Sequence, residues 1–431
     1  MKTLRNINAF INTLSEKQLI WAIFMLFFSI RLAYFLLSPS NCFDLQLDSY
    51  RYNHLAQQLL QGNDDFNILV FIPSPLIIYV FAFFQYFFGQ HYILAMAIFQ
   101  LILSACSGVY LYKISLLLFR DKSIALLTAL LYAFFPLTLY WVFTLSQDTF
   151  FQCFLIFFVY YFLKSIFSQN PILLVFSALL YGVVFMTKSH ILLGSFFLPL
   201  AIWFNTKGAV FKKLSFIAIF TGISLLCTLP FGLFTLKKYD TYVISSTGIG
   251  CHFLGGHNDD YYRLNTNPPP LNSPEYIKLL DNYDYAVYRP ILDTIDLIPV
   301  KDVQSVFLKE GIKWCQKETE KFCHVTWLNI KGFFMPGVNP LHYSLLKWWM
   351  AFLVSLPVYI LAYMGIYSSL KNDFPRHSYF LSLFISLFLL SVVFYTQNRF
   401  RTITLEPFYL MYAAYTIRAL QQRIKNKSSF S

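Results

Sequence analysis

The sequence predicts an all-α polytopic membrane protein with about ten transmembrane helices, and three observations carry that prediction. The 431 residues are 57% hydrophobic and 20% aromatic but only 13% charged, whereas soluble domains carry about 25% charged residues. Mean hydropathy is +0.54. The apolar residues gather in runs close to the roughly 20 residues that cross a bilayer, and the charges between the runs are strongly sorted by sign.

The runs lie near 18–38, 91–112, 123–145, 149–167, 171–187, 190–205, 214–235, 346–369, 378–396 and 403–420. The basic stretch MKTLRNINAFINTLSEKQ precedes the first. That run is too long for a signal-peptide core and lacks an A-x-A site, so it is expected to be a retained span. One further run, PLIIYVFAFFQYFFG from Pro75 to Gly89, decides the topology. It is short, and Pro73, Pro75 and Gly89 bound it; if it crosses, every later segment changes sides.

The positive-inside rule settles the choice. With this run in the interface, as amphipathic or re-entrant helices lie, the short inner segments hold Lys2, Arg5, Lys17, Lys113, Arg120, Lys122, Lys164, Lys207, Lys212, Lys213, Lys371, Arg376, Arg418, Arg423, Lys425 and Lys427. Only Glu16, Asp121 and Asp373 oppose them. The short outer segments hold Asp44, Asp48, Asp64, Asp65, Asp148 and Glu406 against Arg51, Lys188, Arg399 and Arg401. Both termini are therefore expected inside. The net charge of +12 is mostly an orientation signal, and no basic patch with stacking aromatics points to nucleic acid.

One outer segment is long, about 236–345. Its charges nearly balance, NPPPLNSPEY breaks it, and helical periodicity returns in VKDVQSVFLKEGIKWCQKETEKF. The chain thus divides into an N-terminal transmembrane module, 1–235, with a first outer loop at 39–90; an outer subdomain, 236–345; and C-terminal helices, 346–431. Cys106, Cys153 and Cys227 fall in apolar runs, while Cys42, Cys251, Cys315 and Cys323 lie where an oxidising compartment would permit a disulfide. No zinc spacing is present.

Under this topology the unusual polar residues collect on one side. Asp44 and Asp48 lie in the first outer loop, Gln147 and Asp148 in LSQD, Lys188, Ser189 and His190 in TKSH, and Arg399, Arg401 and Glu406 in QNRFRTITLEP. Ionisable groups at the hydrocarbon boundary are costly and generally serve a function or a partner. Acids and bases on one face suit an anionic lipid head group. Each also has a plainer reading. Asp48 heads a helix whose apolar stripe is Tyr52, Leu55, Ala56, Leu59 and Leu60, so it is also an N-cap candidate. Asp44 is equally a solvated loop residue, and Asp148 a cap of the next span. Lys188 is also a candidate for snorkelling to lipid phosphates. Arg399 and Arg401 bracket one Phe and suit a planar, bidentate phosphate grip. Arg31, inside the first span, either snorkels outward or pairs with an outer acid. In STGIGCHFLGGHNDDYY, His252, His257, Asp259 and Asp260 admit a metal reading, although the glycines more simply permit a tight loop. No metal site is assigned.

LDSYRYNHLAQQLLQGN, SPLIIYVFAFFQYFFG, LLTALLYAFFPLTLYWVFTLSQD, MTKSH, SSTGIGCHFLGGHNDD and NRFRTITLEPFYLMYAAY, in this order, resemble the C-type glycosyltransferase superfamily (GT-C) over almost the whole chain. The resemblance is to its bacterial branch near the protein O-mannosyltransferases and the lipid A aminoarabinose and galacturonic acid transferases. It implies a GT-C fold with interfacial helices in the first outer loop, in the bacterial cytoplasmic (inner) membrane, with the active site facing the periplasm. It implies transfer, with inversion, of a sugar from a polyprenyl-phosphate donor to an envelope acceptor: lipopolysaccharide or lipid A, another glycan, or a protein. Asp48 maps to the family's catalytic carboxylate, and Asp44 or Asp148 would hold sugar hydroxyls. A second acid of the family falls at Gln147 here, with Asp148 beside it. Lys188, Arg399, Arg401 and Arg51 would meet the phosphate, with Tyr52, His190 and Glu406 as further binding candidates. Tyr261, Tyr262 and Trp327 would close over the acceptor. No cofactor is expected, and a divalent metal stays open. Two other classes compete: a transporter or flippase of a lipid-linked sugar, which would need broken half-helices and an internal repeat not seen here, and a catalytically inactive partner subunit of the same superfamily.

Overall fold

The computed structural model describes residues 14–37, 45, 48–66, 72–142, 144–281, 291 and 295–428. Asp44 and Cys42 lie outside them. The described secondary structure is all helical. In chain order the N-terminal half contains α1 (Glu16–Leu37), α2 (Asp48–Leu60), α3 (Pro75–Phe88), α4 (Tyr92–Phe119), α5 (Lys122–Phe134), α6 (Pro136–Trp141), α7 (Gln147–Ser168), α8 (Pro171–Thr187), α9 (Gly194–Asn205), α10 (Val210–Leu226) and α11 (Leu229–Tyr239). Then follow α12 (Ile249–Gly256), α13 (Asp259–Thr266), α14 (Pro274–Asp281), α15 (Val300–Lys317) and α16 (Thr319–Phe334) in the long segment. The chain closes with α17 (Leu345–Asn372), α18 (Phe374–Val393), α19 (Asn398–Thr404) and α20 (Glu406–Ser428).

By length and composition, five described runs suffice to cross a membrane: α1, the continuous run Pro75–Phe119, α7, α17 and α18. The pair α10 and α11, bent by 44°, adds a sixth if counted as one span. The shorter apolar helices α5, α8 and α9, together with α20, stand where the sequence places the remaining runs. Two of those runs are broken rather than straight. The run at 123–145 stops at Phe135, whose extended backbone (φ −72°, ψ 114°) follows from the clash that a proline imposes on the residue before it. The run at 214–235 bends between Leu226 and Leu229, just ahead of Pro230.

The run Pro75–Phe119 is continuous in helical backbone but not straight. A straight helix would set Phe84 and Phe99 roughly 22 Å apart along its axis; their ring centroids are 5.6 Å apart. The chain therefore folds back through a 3-10 turn at Gly89–His91, where Gly89 has φ 50° and ψ −127°, a conformation that only glycine adopts without strain. α3 consequently lies against α4 and α2. The fold-back is sealed by Asn53, whose side-chain oxygen accepts from Gln85 and from Tyr92, both at 2.7 Å.

The main core joins both halves of the chain. α7 packs on α4 and α8, α9 on α18, and α20 on both α17 and α5. Residues Phe408 to Ala414 of α20 are all fully buried, as expected of a helix that is apolar all round and central in its bundle. A second core under α2 and α3 gathers Tyr52, Leu55, Ile77, Phe81, Phe150 and Phe231. A third, around Cys251, Leu254, Val303 and Phe307, holds α12 to α15.

Arg31 neither snorkels nor meets a described acid. It is fully buried, donates to the Ser104 hydroxyl at 2.7 Å and lies 4.4 Å from the Phe27 ring centroid. Cys315 and Cys323 are free thiols in the described structure, and the buried Cys251 thiol donates to the Gly248 carbonyl at 3.2 Å.

Candidate active site

α2, α7, the α8–α9 turn and α19 converge at one end of the bundle around a cavity of about 390 Å³. Asp48 enters as the first residue of α2, and the α2 stripe places Tyr52 one turn behind it on the same side. Gln147 enters from the first turn of α7, Lys188 and His190 from the α8–α9 turn, and Arg399 and Phe400 from α19. The fourth wall is a strap from Tyr242 to Ile249, continued by His252 of α12. Leu192, Leu193, Leu387, Leu390 and Phe394 make the remaining wall apolar.

The charges form two pairs. Arg399 Nη1 donates to Asp48 Oδ2 at 3.2 Å, and its Nε to Gln397 at 2.7 Å. Each partner of the Arg399–Asp48 pair keeps nearly a third of its side chain exposed. Lys188 pairs with Asp148, and this pair is buried. Asp148 does not line the cavity; it sits behind Lys188 and also accepts from the Ser146 hydroxyl at 3.2 Å. Phe400 lies between the cations, 4.9 Å from Lys188 Nζ and 5.4 Å from the Arg399 guanidinium carbon. Burial works against the Arg399 charge, but Asp148 and Asp48 together outweigh it and hold its pKa above the ordinary value. His190 is stacked between Phe151 and Phe400 and bonds the Thr404 hydroxyl at 3.0 Å. Burial, with Lys188 adding to it, pushes this imidazole well below its usual pKa.

Other sequence candidates lie elsewhere. Arg401 is fully enclosed. It donates to the carbonyls of Gly332, Phe333 and Gly337 at 3.2, 2.8 and 2.9 Å and to Glu406 at 3.4 Å, and none of it lines the cavity. Glu406 accepts from Tyr359 at 2.6 Å and is likewise outside the lining. NRFR therefore points its two arginines to different places, one into the cavity and one into the core. Half-buried Arg51 is outside the lining too. Tyr261 is buried against Asn329, Tyr262 meets His324 and Trp327 is exposed; none of the three reaches the cavity. His257 is packed on Phe253 and bonds its carbonyl, and Asp259 pairs with Lys321. Among the described residues no three metal-donor side chains gather.

What sequence reasoning misses is that the strap lines the cavity: its SSTGIG stretch reads as a tight loop and as part of a motif of the resemblance, not as a wall of the site. Its hydroxyls are spent on scaffolding. Ser245 meets Ser74 and the Phe185 carbonyl, Ser246 meets Ser189, and Thr247 exchanges two hydrogen bonds with Ile72. Its signal in the sequence was a short β-branched and hydroxyl run, VISSTG, without helical periodicity.

This is the architecture of an all-helical membrane protein with a GT-C fold. Residues 73–234 match the family described as dolichyl-phosphate-mannose-protein mannosyltransferase. The fold is similar to that of the Archaeoglobus fulgidus oligosaccharyltransferase, solved with a tethered acceptor peptide containing the NVT sequon. The TM-score is 0.55 at 15% identity, covering 96% of this chain and 51% of that one. The chain thus spans about half the length of that structure. No curated protein matches its sequence. The family match covers less than half of the chain, and the structural likeness is one of fold, that of GT-C proteins.

Proposed function

We propose that the protein transfers a sugar from a polyprenyl-phosphate donor to an envelope acceptor on the outer face of the bacterial cytoplasmic membrane. The observation that carries this reading is the pairing of Asp48 with Arg399 on the wall of a cavity that Lys188 also lines. An acidic group and two cations meet beside an apolar wall, and a lipid phosphate needs both kinds of surface.

Asp48 accepts the proton of the acceptor's attacking group. That atom bonds to the anomeric carbon as the bond from this carbon to the phosphate oxygen breaks, with inversion. The electron pair leaves on the lipid phosphate, where Arg399 and Lys188 stabilise the growing charge. Arg399 is suited to this step: Nη1 and Nε are committed to Asp48 and Gln397, and Nη2 makes no hydrogen bond among the described residues. A guanidinium holding the base with one edge retains donors for an anion on another. Asp148 fixes Lys188 in place from behind. The donor reading is tested by incubating purified protein with labelled polyprenyl-phosphate sugar and membrane extract. Release of unlabelled polyprenyl phosphate with label entering one acceptor fraction is expected. Flipping of intact donor without bond cleavage would instead establish the transporter reading.

A further inference from the structure

The core arginine and the cavity arginine share one short helix, and that juxtaposition has a functional consequence. α19 has seven residues, too few to hold its shape unaided. Arg401 is the strongest of its fixings. Its guanidinium reaches the carbonyls of Gly332 and Phe333 in the last turn of α16, and the carbonyl of Gly337 in the loop beyond. A cation at the negative end of a helix dipole is favourably placed. On its other side Arg401 meets Glu406, in the first turn of α20, where an acid is favoured for the opposite reason. Tyr359 of α17 closes the cluster, its ring 5.1 Å from the guanidinium carbon and its hydroxyl donating to Glu406. Gly337 (φ 78°) lets the loop come this close, because a Cβ there would lie 2.9 Å from the Ala351 backbone. Three elements thus hold one side chain, two residues from Arg399.

We propose that Arg401 is a positioning residue: it couples the end of the long segment, through α19, to the placement of the Arg399 guanidinium beside Asp48. It does not touch the phosphate itself. This rests on the reading of Arg399 given above, and a double-mutant cycle separates the two claims. If Arg401 acts through Arg399, then Arg401→Met lowers kcat by about tenfold with little change in donor KM, while Arg399→Met costs about 100-fold. The double variant then stays within about twofold of Arg399→Met alone, as expected of groups that act as a unit. Arg401→Lys, which keeps the charge, recovers part of the rate. It also serves in the same cycle should the methionine variant fail to fold. A purely architectural role would reduce the amount of folded enzyme and leave kcat per folded molecule unchanged, which would overturn the proposal. Losses that multiply to about 1000-fold would overturn it too, by making Arg401 an independent ligand, yet leave the reading of Arg399 intact. An Arg399→Met enzyme at full activity would sink both.

Discussion

At the scale of single residues the site is an alternation of opposite charges, and the two pairs differ in what burial does to them. Asp148 and Lys188 are both almost inaccessible. Removing one leaves the other charged and unpaired away from water, which costs about 3–5 kcal/mol. Asp148→Asn is therefore expected to lower thermal stability in detergent more than the double variant Asp148→Asn with Lys188→Met. Equal destabilisation would show that the two side chains are not each other's main partner. Asp48 and Arg399 retain access to the cavity, so their pairing contributes less to stability and leaves them reachable. These four residues stood out in the sequence because ionisable groups at span ends are conspicuous in a chain with 13% charged residues. What could not be read was direction. Arg399 and Arg401 look equivalent in NRFR, but helix positions i and i+2 are about 200° apart around the axis, so one faces the cavity and the other the core.

At the scale of elements, breaks position the site. α3 folds back on α4 at Gly89, and this brings α2, with Asp48 at its head, against the bundle. Gly89→Ala puts a side chain at φ 50° and ψ −127°, which costs of order 1–3 kcal/mol. It is expected to lower thermal stability and to loosen α2; an unchanged melting temperature would mean the turn has a second conformation open to alanine. Proline and glycine punctuation made the α3 boundaries readable from Pro75 and Gly89, and Pro136 divides α5 from α6 by the same rule. The strap's place in the cavity wall could not be read because nothing local distinguishes a segment whose hydroxyls pair with the stretch before α3, the last turns of α8 and the α8–α9 turn from an ordinary linker. Its partners, Ile72, Ser74, Phe185 and Ser189, are all far away in the chain.

At the scale of the whole molecule the sorted charges and the cavity tell the same story. The charged residues lining the cavity, Asp48, Lys188 and Arg399, come from segments that the charge pattern assigns to one side, and α20 returns to pack against α5, joining the C-terminal helices to the N-terminal module. The orientation itself is open to a direct check. Cys323 is exposed on α16. In a variant keeping Cys323 as its sole cysteine, a membrane-impermeant thiol reagent should label intact spheroplasts. A cysteine placed at Gly208, between α9 and α10, should react only after lysis. The reverse pattern would invert the topology and move the site to the cytoplasmic face.

Most directly of all, the rate of sugar transfer from the proposed polyprenyl-phosphate donor can be compared between the native chain and Asp48→Asn, an isosteric change that removes the proposed proton acceptor beside Arg399. A fall of about 100-fold or more is predicted, with donor binding retained because Arg399 and Lys188 remain. Transfer at the native rate by the asparagine variant would contradict the assignment of this cavity as the place where the glycosidic bond is made.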